Sequence, residues 1–87
     1  MIKIQYERGF LKEFKKLPKN IQKKLINLED TFKTNCFHSS LHIKKLQGEL
    51  KHFYSFRITR GYRVIFEFIS ENEVAFLAIK HRKDIYR

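Results

Sequence analysis

Apolar and polar positions alternate at the start of the chain: Ile2, Ile4 and Tyr6 are separated by Lys3 and Gln5, the two-residue period of a half-buried strand. The period then lengthens. Phe10, Phe14 and Leu17 recur at helical spacing, with Lys12, Glu13, Lys15 and Lys16 on the other side, until Pro18 either stops the pattern or opens the next helix at its first position. A second stripe follows in Ile21, Leu25, Leu28 and Phe32, widened by Ile26, while Lys19, Gln22, Lys23, Asn27 and Asp30 face solvent. Two antiparallel helices joined near Pro18 are therefore predicted. Periodicity fails from Thr34 to Ser40, which reads as a loop, and Lys44-Lys45-Leu46-Gln47-Gly48 leads into a turn.

Three strands are predicted beyond that turn. Tyr54, Phe56 and Ile58 alternate with Ser55, Arg57 and Thr59; a tight connection at Arg60-Gly61 precedes Tyr62 to Ile69; and Ser70-Glu71-Asn72 turns the chain into Glu73 to Lys80. The last two strands are apolar on both faces for much of their length, as central strands are. The result is an α+β fold, β-α-α-β-β-β, with a helical hairpin packed on a mostly antiparallel four-stranded sheet. Residues 1–87 are read as one domain without internal repeats.

Register then brings chemistry together. For Tyr54, Phe56 and Ile58 to share a face with Tyr62, Val64, Phe66 and Phe68, Ile58 must sit opposite Tyr62, which places Arg57 directly opposite Arg63. Like charges so paired repel unless an anion lies between them. Two facing arginines on an open sheet face thus resemble a clamp for phosphate, whose oxygens match the guanidinium fork. If Phe68 pairs with Val74, continuing the ladder sets Ile79 opposite Arg63 and His81 at the strand's end on that same face. An imidazole there is suited to move protons near neutral pH.

Composition sharpens the picture. The 87 residues (10.7 kDa) are 43% hydrophobic, with nine Phe, four Tyr, three Gly and one Pro, enough for a core. A chain this small buries only about 60% of its unfolded surface, so a partner can contribute to its stability. Nineteen Lys and Arg against nine Asp and Glu give a net charge of +10, which favours polyanions, although many lysines on helix faces simply solvate them. The single Cys36 excludes an intramolecular disulfide and suggests a reducing compartment. The N-terminus lacks the apolar run of a signal peptide, and the longest apolar stretch, Val74 to Ile79, is far too short to span a membrane. The expectation is a cytoplasmic protein with no membrane partner.

Cys36, His38 and His42 lack the spacing of a metal site, and neither a glycine-rich phosphate loop nor a serine nucleophile elbow is present. No cofactor and no metal is expected.

In order along the chain, Phe14-Lys15-Lys16-Leu17-Pro18, Lys45-Leu46-Gln47-Gly48, Tyr54-Ser55-Phe56-Arg57-Ile58, Gly61-Tyr62-Arg63-Val64-Ile65-Phe66 and His81-Arg82-Lys83-Asp84-Ile85-Tyr86 resemble the RelE/ParE superfamily of bacterial toxin–antitoxin toxins. They look closer to the RelE/YoeB nuclease branch than to the gyrase-poisoning ParE branch. The resemblance implies a metal-independent mRNA endoribonuclease that acts in the ribosomal A site, inhibits translation and is silenced by a cognate antitoxin. It implies attack of an RNA 2′-hydroxyl on the adjacent phosphate, leaving a cyclic phosphate. By position, Arg63 matches the transition-state arginine, Arg57 a basic residue on the neighbouring strand, His81 the C-terminal histidine used as acid by some relatives, and Tyr86 a tyrosine near the end of the RelE chain. Lys45, Lys51, Arg60, Arg82 and Lys83 are the expected RNA contacts.

The sequence also departs from the family pattern. Ser55 stands where RelE has a lysine, Gln47 replaces an arginine, and no carboxylate falls near Ser40, where YoeB places its base. Lys44, Lys45 and His42 remain as candidate bases, with Lys44 preferred because crowding among cations favours a neutral lysine amine. Two other functions stay open: a ParE-like inhibitor of DNA gyrase, and a catalytically degenerate member that only binds its antitoxin.

Overall fold

The computed structural model describes residues 1–85. The elements run β1 (Lys3–Tyr6), α1 (Arg8–Lys16), α2 (Lys19–Thr34), β2 (Lys44–Lys45), β3 (Tyr54–Arg57), β4 (Tyr62–Ser70), β5 (Glu73–His81) and a short α3 (Arg82–Ile85). They build a five-stranded sheet in the order β1-β5-β4-β3-β2, with β1 parallel to β5 and every other pairing antiparallel. The α+β arrangement follows the sequence pattern, with one strand more than the four expected. The extra strand, β2, is two lysines paired with Ser55 and Tyr54, and exposed side chains on both leave no alternation to read.

The helical hairpin is fastened by a residue assigned to solvent from its pattern. Pro18 caps α2 and its carbonyl accepts from the N–H groups of Ile21 and Gln22, while the Gln22 side-chain amide reaches back to the Phe14 and Leu17 carbonyls over 2.9 and 3.1 Å. Those carbonyls lie at the end of α1, where helical partners run out. Glu13 is likewise half-buried rather than solvated, its Oε1 accepting from the N–H of Ile79 beyond the part of β5 paired with β1. Ile26, expected to widen the buried stripe, is 52% exposed.

Between hairpin and sheet lies an aromatic core. Phe32 is fully buried, with its ring 5.1 to 5.3 Å from those of Phe56, Phe66 and Phe76. Phe56, Ile58, Val64 and Phe66 belong to this core, and Tyr54, Tyr62 and Phe68 pack against it, as the strand alternation required. The β3–β4 register is also the expected one: Arg57 pairs with Arg63, and the Ile58 N–H donates to the Tyr62 carbonyl.

The β4–β5 register differs from expectation midway. Phe68 pairs with Val74 and Phe66 with Phe76, but Ile65 pairs with Ala78, so Leu77 falls outside the pairing. This bulge slips the remaining ladder by one residue, placing Ile79 opposite Val64, Lys80 opposite Arg63 and His81 opposite Tyr62. His81 therefore has the strand parity of Tyr62 and not that of Arg63.

Candidate nucleic-acid cleft

One end of the sheet forms a cleft of about 430 Å³ lined by Lys44, Arg57, Arg60, Arg63, His81, Arg82 and Lys83. They enter from several parts of the fold. Lys44 comes from β2, Arg57 from the end of β3, Arg60 from the following turn, Arg63 from β4, and His81 closes β5 just before Arg82 and Lys83 in α3. Six of these seven residues are lysines or arginines, and side chains of like charge gathered round one cleft repel one another until a polyanion relieves the repulsion.

Arg63 forms the floor. It is only 3% exposed, so the arginine pair stands on no open sheet face, contrary to expectation; its neighbours on that face of the sheet, Ile65 of β4 and Ser55 of β3, are buried too. Its Nε donates to Ser55 Oγ over 2.9 Å, and its Nη2 donates to the backbone carbonyl of His42. Ser55, which stands where the resemblance leads one to expect a lysine, thus serves a neighbouring arginine. Sequence reasoning missed this role, although register alone makes Ser55 the diagonal neighbour of Arg63.

His81 reaches the cleft despite the slipped register, because it is the last residue of its strand. Its ring meets Tyr62 edge-on with centroids 5.6 Å apart, and its Nδ1 accepts from the Lys83 N–H at 3.3 Å. An accepting Nδ1 leaves the proton of the neutral ring on Nε2. That nitrogen lies 3.4 Å from where a side chain on Gly61 would begin, and the Gly61 carbonyl accepts from the Arg82 N–H at 2.8 Å. The tight turn therefore seats both the imidazole and the start of α3.

Other candidates fall elsewhere. Lys45 pairs with Tyr54 on β2, and Lys51 follows the turn at Gly48–Leu50; both are exposed and neither lines the cleft. Tyr86 lies outside the described residues. Among the described residues no three His, Cys, Asp or Glu side chains come together as a metal site. Burial pushes the Cys36 thiol up from its ordinary range, away from the thiolate a nucleophile needs.

A small α+β protein with a cationic cleft at the end of its sheet is the class these features define. The family model described as "ParE toxin of type II toxin-antitoxin system, parDE" matches residues 4–86, and the chain belongs to that family, within the RelE/ParE superfamily of toxins of type II toxin–antitoxin systems. Its fold is similar to that of YafQ from Escherichia coli strain BL21(DE3), with a TM-score of 0.79 and 16% identity over 100% of both chains. It is similar to RelE in the RelE–RelB complex from Pyrococcus horikoshii OT3, with a TM-score of 0.75 and 20% identity over 93% of this chain and 94% of that one. The RelB–RelE antitoxin–toxin complex from Methanococcus jannaschii gives a TM-score of 0.74 and 25% identity over 94% of each chain. No curated protein matches the sequence.

Proposed function

We propose that this toxin is a ribosome-dependent mRNA endoribonuclease that inhibits translation, cutting by attack of a 2′-hydroxyl on the adjacent phosphate. The observation that carries the reading is the convergence of Lys44, Arg57, Arg63 and His81 in one cleft. In the proposed step the 2′-oxygen forms a bond to phosphorus while the bond from phosphorus to the 5′-oxygen breaks, leaving a 2′,3′-cyclic phosphate and a 5′-hydroxyl. Lys44 is the proposed base that takes the 2′-hydroxyl proton. Arg63, with Arg57, holds the non-bridging oxygens, where negative charge grows in the transition state. His81 supplies a proton from Nε2 to the departing 5′-oxygen. Arg60, Arg82 and Lys83 hold flanking phosphates, with Lys45 and Lys51 extending the basic surface; Tyr86 is proposed as a further catalytic residue on its sequence match to the tyrosine near the end of RelE alone.

The ribosome, with its mRNA, is the proposed substrate assembly, because so spare a set of side chains gains most from a scaffold that orients the RNA. A cognate antitoxin is the proposed regulatory partner. The RelE structures similar to this chain are complexes with RelB, and a mostly apolar groove here, lined by Tyr6, Phe10, Leu11, Phe14 and Ile26 with Glu29 as the one charged residue among those described, suits an amphipathic segment. The proposal places residues 1–87 in one cytoplasmic domain; among the described residues no helix is long and apolar enough to cross a membrane.

The alternative reading, a ParE-like inhibitor of DNA gyrase that hydrolyses nothing, is less favoured by the similar folds of YafQ and RelE. One assay separates the two. Purified protein added to a translation reaction is expected to cut mRNA only while ribosomes are translating it. Equal cleavage of naked mRNA at the same positions contradicts ribosome dependence, and inhibition of gyrase with intact mRNA contradicts the nuclease.

A further inference from the structure

Among the described residues, Ser55 and His42, from different parts of the fold, supply acceptors that grip Arg63. Ser55 Oγ, on β3, takes the Nε–H over 2.9 Å, and the His42 carbonyl, in the turn before β2, takes a hydrogen from Nη2. Both partners in the Ser55 bond are buried, Ser55 completely. A guanidinium is planar, so bonds at Nε and at one Nη fix the rotation of the plane as well as its direction.

The second acceptor is itself held in place. His42 has φ 49 and ψ 54, the left-handed region that side chains other than glycine rarely adopt. Its N–H donates to the Ser39 carbonyl at 3.2 Å, and Leu41 beside it is fully buried. This turn aims a carbonyl at Arg63 and, two residues later, delivers Lys44 to the same cleft.

We infer that Ser55 and the His42 carbonyl are positioning groups for Arg63, setting the guanidinium plane before RNA arrives. The inference rests on the nuclease reading above. A donor fixed in advance needs no reorganisation when charge develops on the phosphate, whereas a loosened guanidinium keeps its charge and its attraction for RNA but loses its aim. Loss of the Ser55 hydroxyl should consequently slow chemistry more than it weakens binding.

The test compares Ser55→Thr with Ser55→Val, which share a shape and differ in the hydroxyl, and includes Ser55→Ala, which adds no bulk. Each is followed by single-turnover cleavage on translating ribosomes and by the NMR signal of the Arg63 Nε–H in the free protein. Ser55→Val and Ser55→Ala are expected to cut on the order of tenfold more slowly or worse, with half-saturation within about twofold of the parent, and to exchange the Nε proton faster. Ser55→Thr is expected to preserve both properties. Equal behaviour of the Thr and Val variants together with a parental rate in Ser55→Ala overturns the inference, as does an Nε–H signal indifferent to the hydroxyl. The two readings fail separately. A parent protein that cuts no RNA but whose Nε–H depends on Ser55 defeats the nuclease and leaves the anchor; full cleavage by Ser55→Val beside an inactive, folded Arg63→Ala defeats the positioning role alone.

Discussion

Arg57 and Arg63 face each other across adjacent strands, an arrangement that costs stability unless an anion sits between them. Their pairing was legible because the apolar residues of β3 and β4 admit one register, and a slip by one would have turned the core face outward. The bulge at Leu77 was not legible: Val74 to Ile79 is apolar throughout, so nothing in the pattern marks which residue drops out of the ladder. The placement of His81 suffered accordingly, and Ser55 was missed because a lone serine has no signature until its neighbour is known. At this scale His81 gives a direct prediction. His81→Gln is expected to keep the fold and ribosome binding while flattening the dependence of cleavage rate on pH between about 5 and 8, since an amide hydrogen-bonds without exchanging a proton there. A pH profile unchanged by the substitution contradicts its role as acid.

Among the elements, the hairpin shows why helix faces were read better than helix ends. The stripe of Leu25, Leu28 and Phe32 was visible in the spacing, whereas Gln22 looked solvated and in fact satisfies two carbonyls at the end of α1. Gln22→Ala is expected to lower unfolding free energy by about 1–2 kcal/mol, as for one or two modest hydrogen bonds, in a chemical denaturation curve with unchanged slope. No loss of stability counts against that fastening. A second link joins β1 to α2, where the Tyr6 hydroxyl donates to Glu29 Oε2 at 3.2 Å. Burial, followed by the nearby Glu29 carboxylate, pushes the Tyr6 phenol up to about 12 from an ordinary 10.0. The folded protein thus holds a proton that the unfolded chain releases, so this link's contribution falls as pH rises from about 10 towards 12. Tyr6→Phe is expected to lose that part of the alkaline decline in urea midpoint. Parallel curves for the two proteins from pH 10 to 12 contradict the linkage.

Across the whole molecule, the net charge of +10 is spread over helix faces, but the cleft concentrates it where β2, β3, β4, β5 and α3 meet. The diffuse part suits salt-sensitive attraction to phosphate, and the concentrated part suits a reacting phosphate. The fold class and the Arg57–Arg63 pair were legible because strand alternation is a local property of sequence, whereas Lys44 and Arg60 came from the family resemblance. The left-handed turn at His42 and the two-residue β2 were not, since backbone bonds made by exposed lysines leave no pattern. These unread pieces are the ones that bring Lys44 into the cleft and hold Arg63 at its floor.

The central claim is that Arg63 acts on the transition state, and single-turnover cleavage of mRNA on translating ribosomes by Arg63→Ala tests it most directly. With melting shown to be unchanged, the rate at saturating toxin is expected to fall about 10²–10³-fold, the scale for removing one preorganised donor, while half-saturation moves far less. Full single-turnover activity in the folded variant would contradict the account and shift the weight to gyrase as the target.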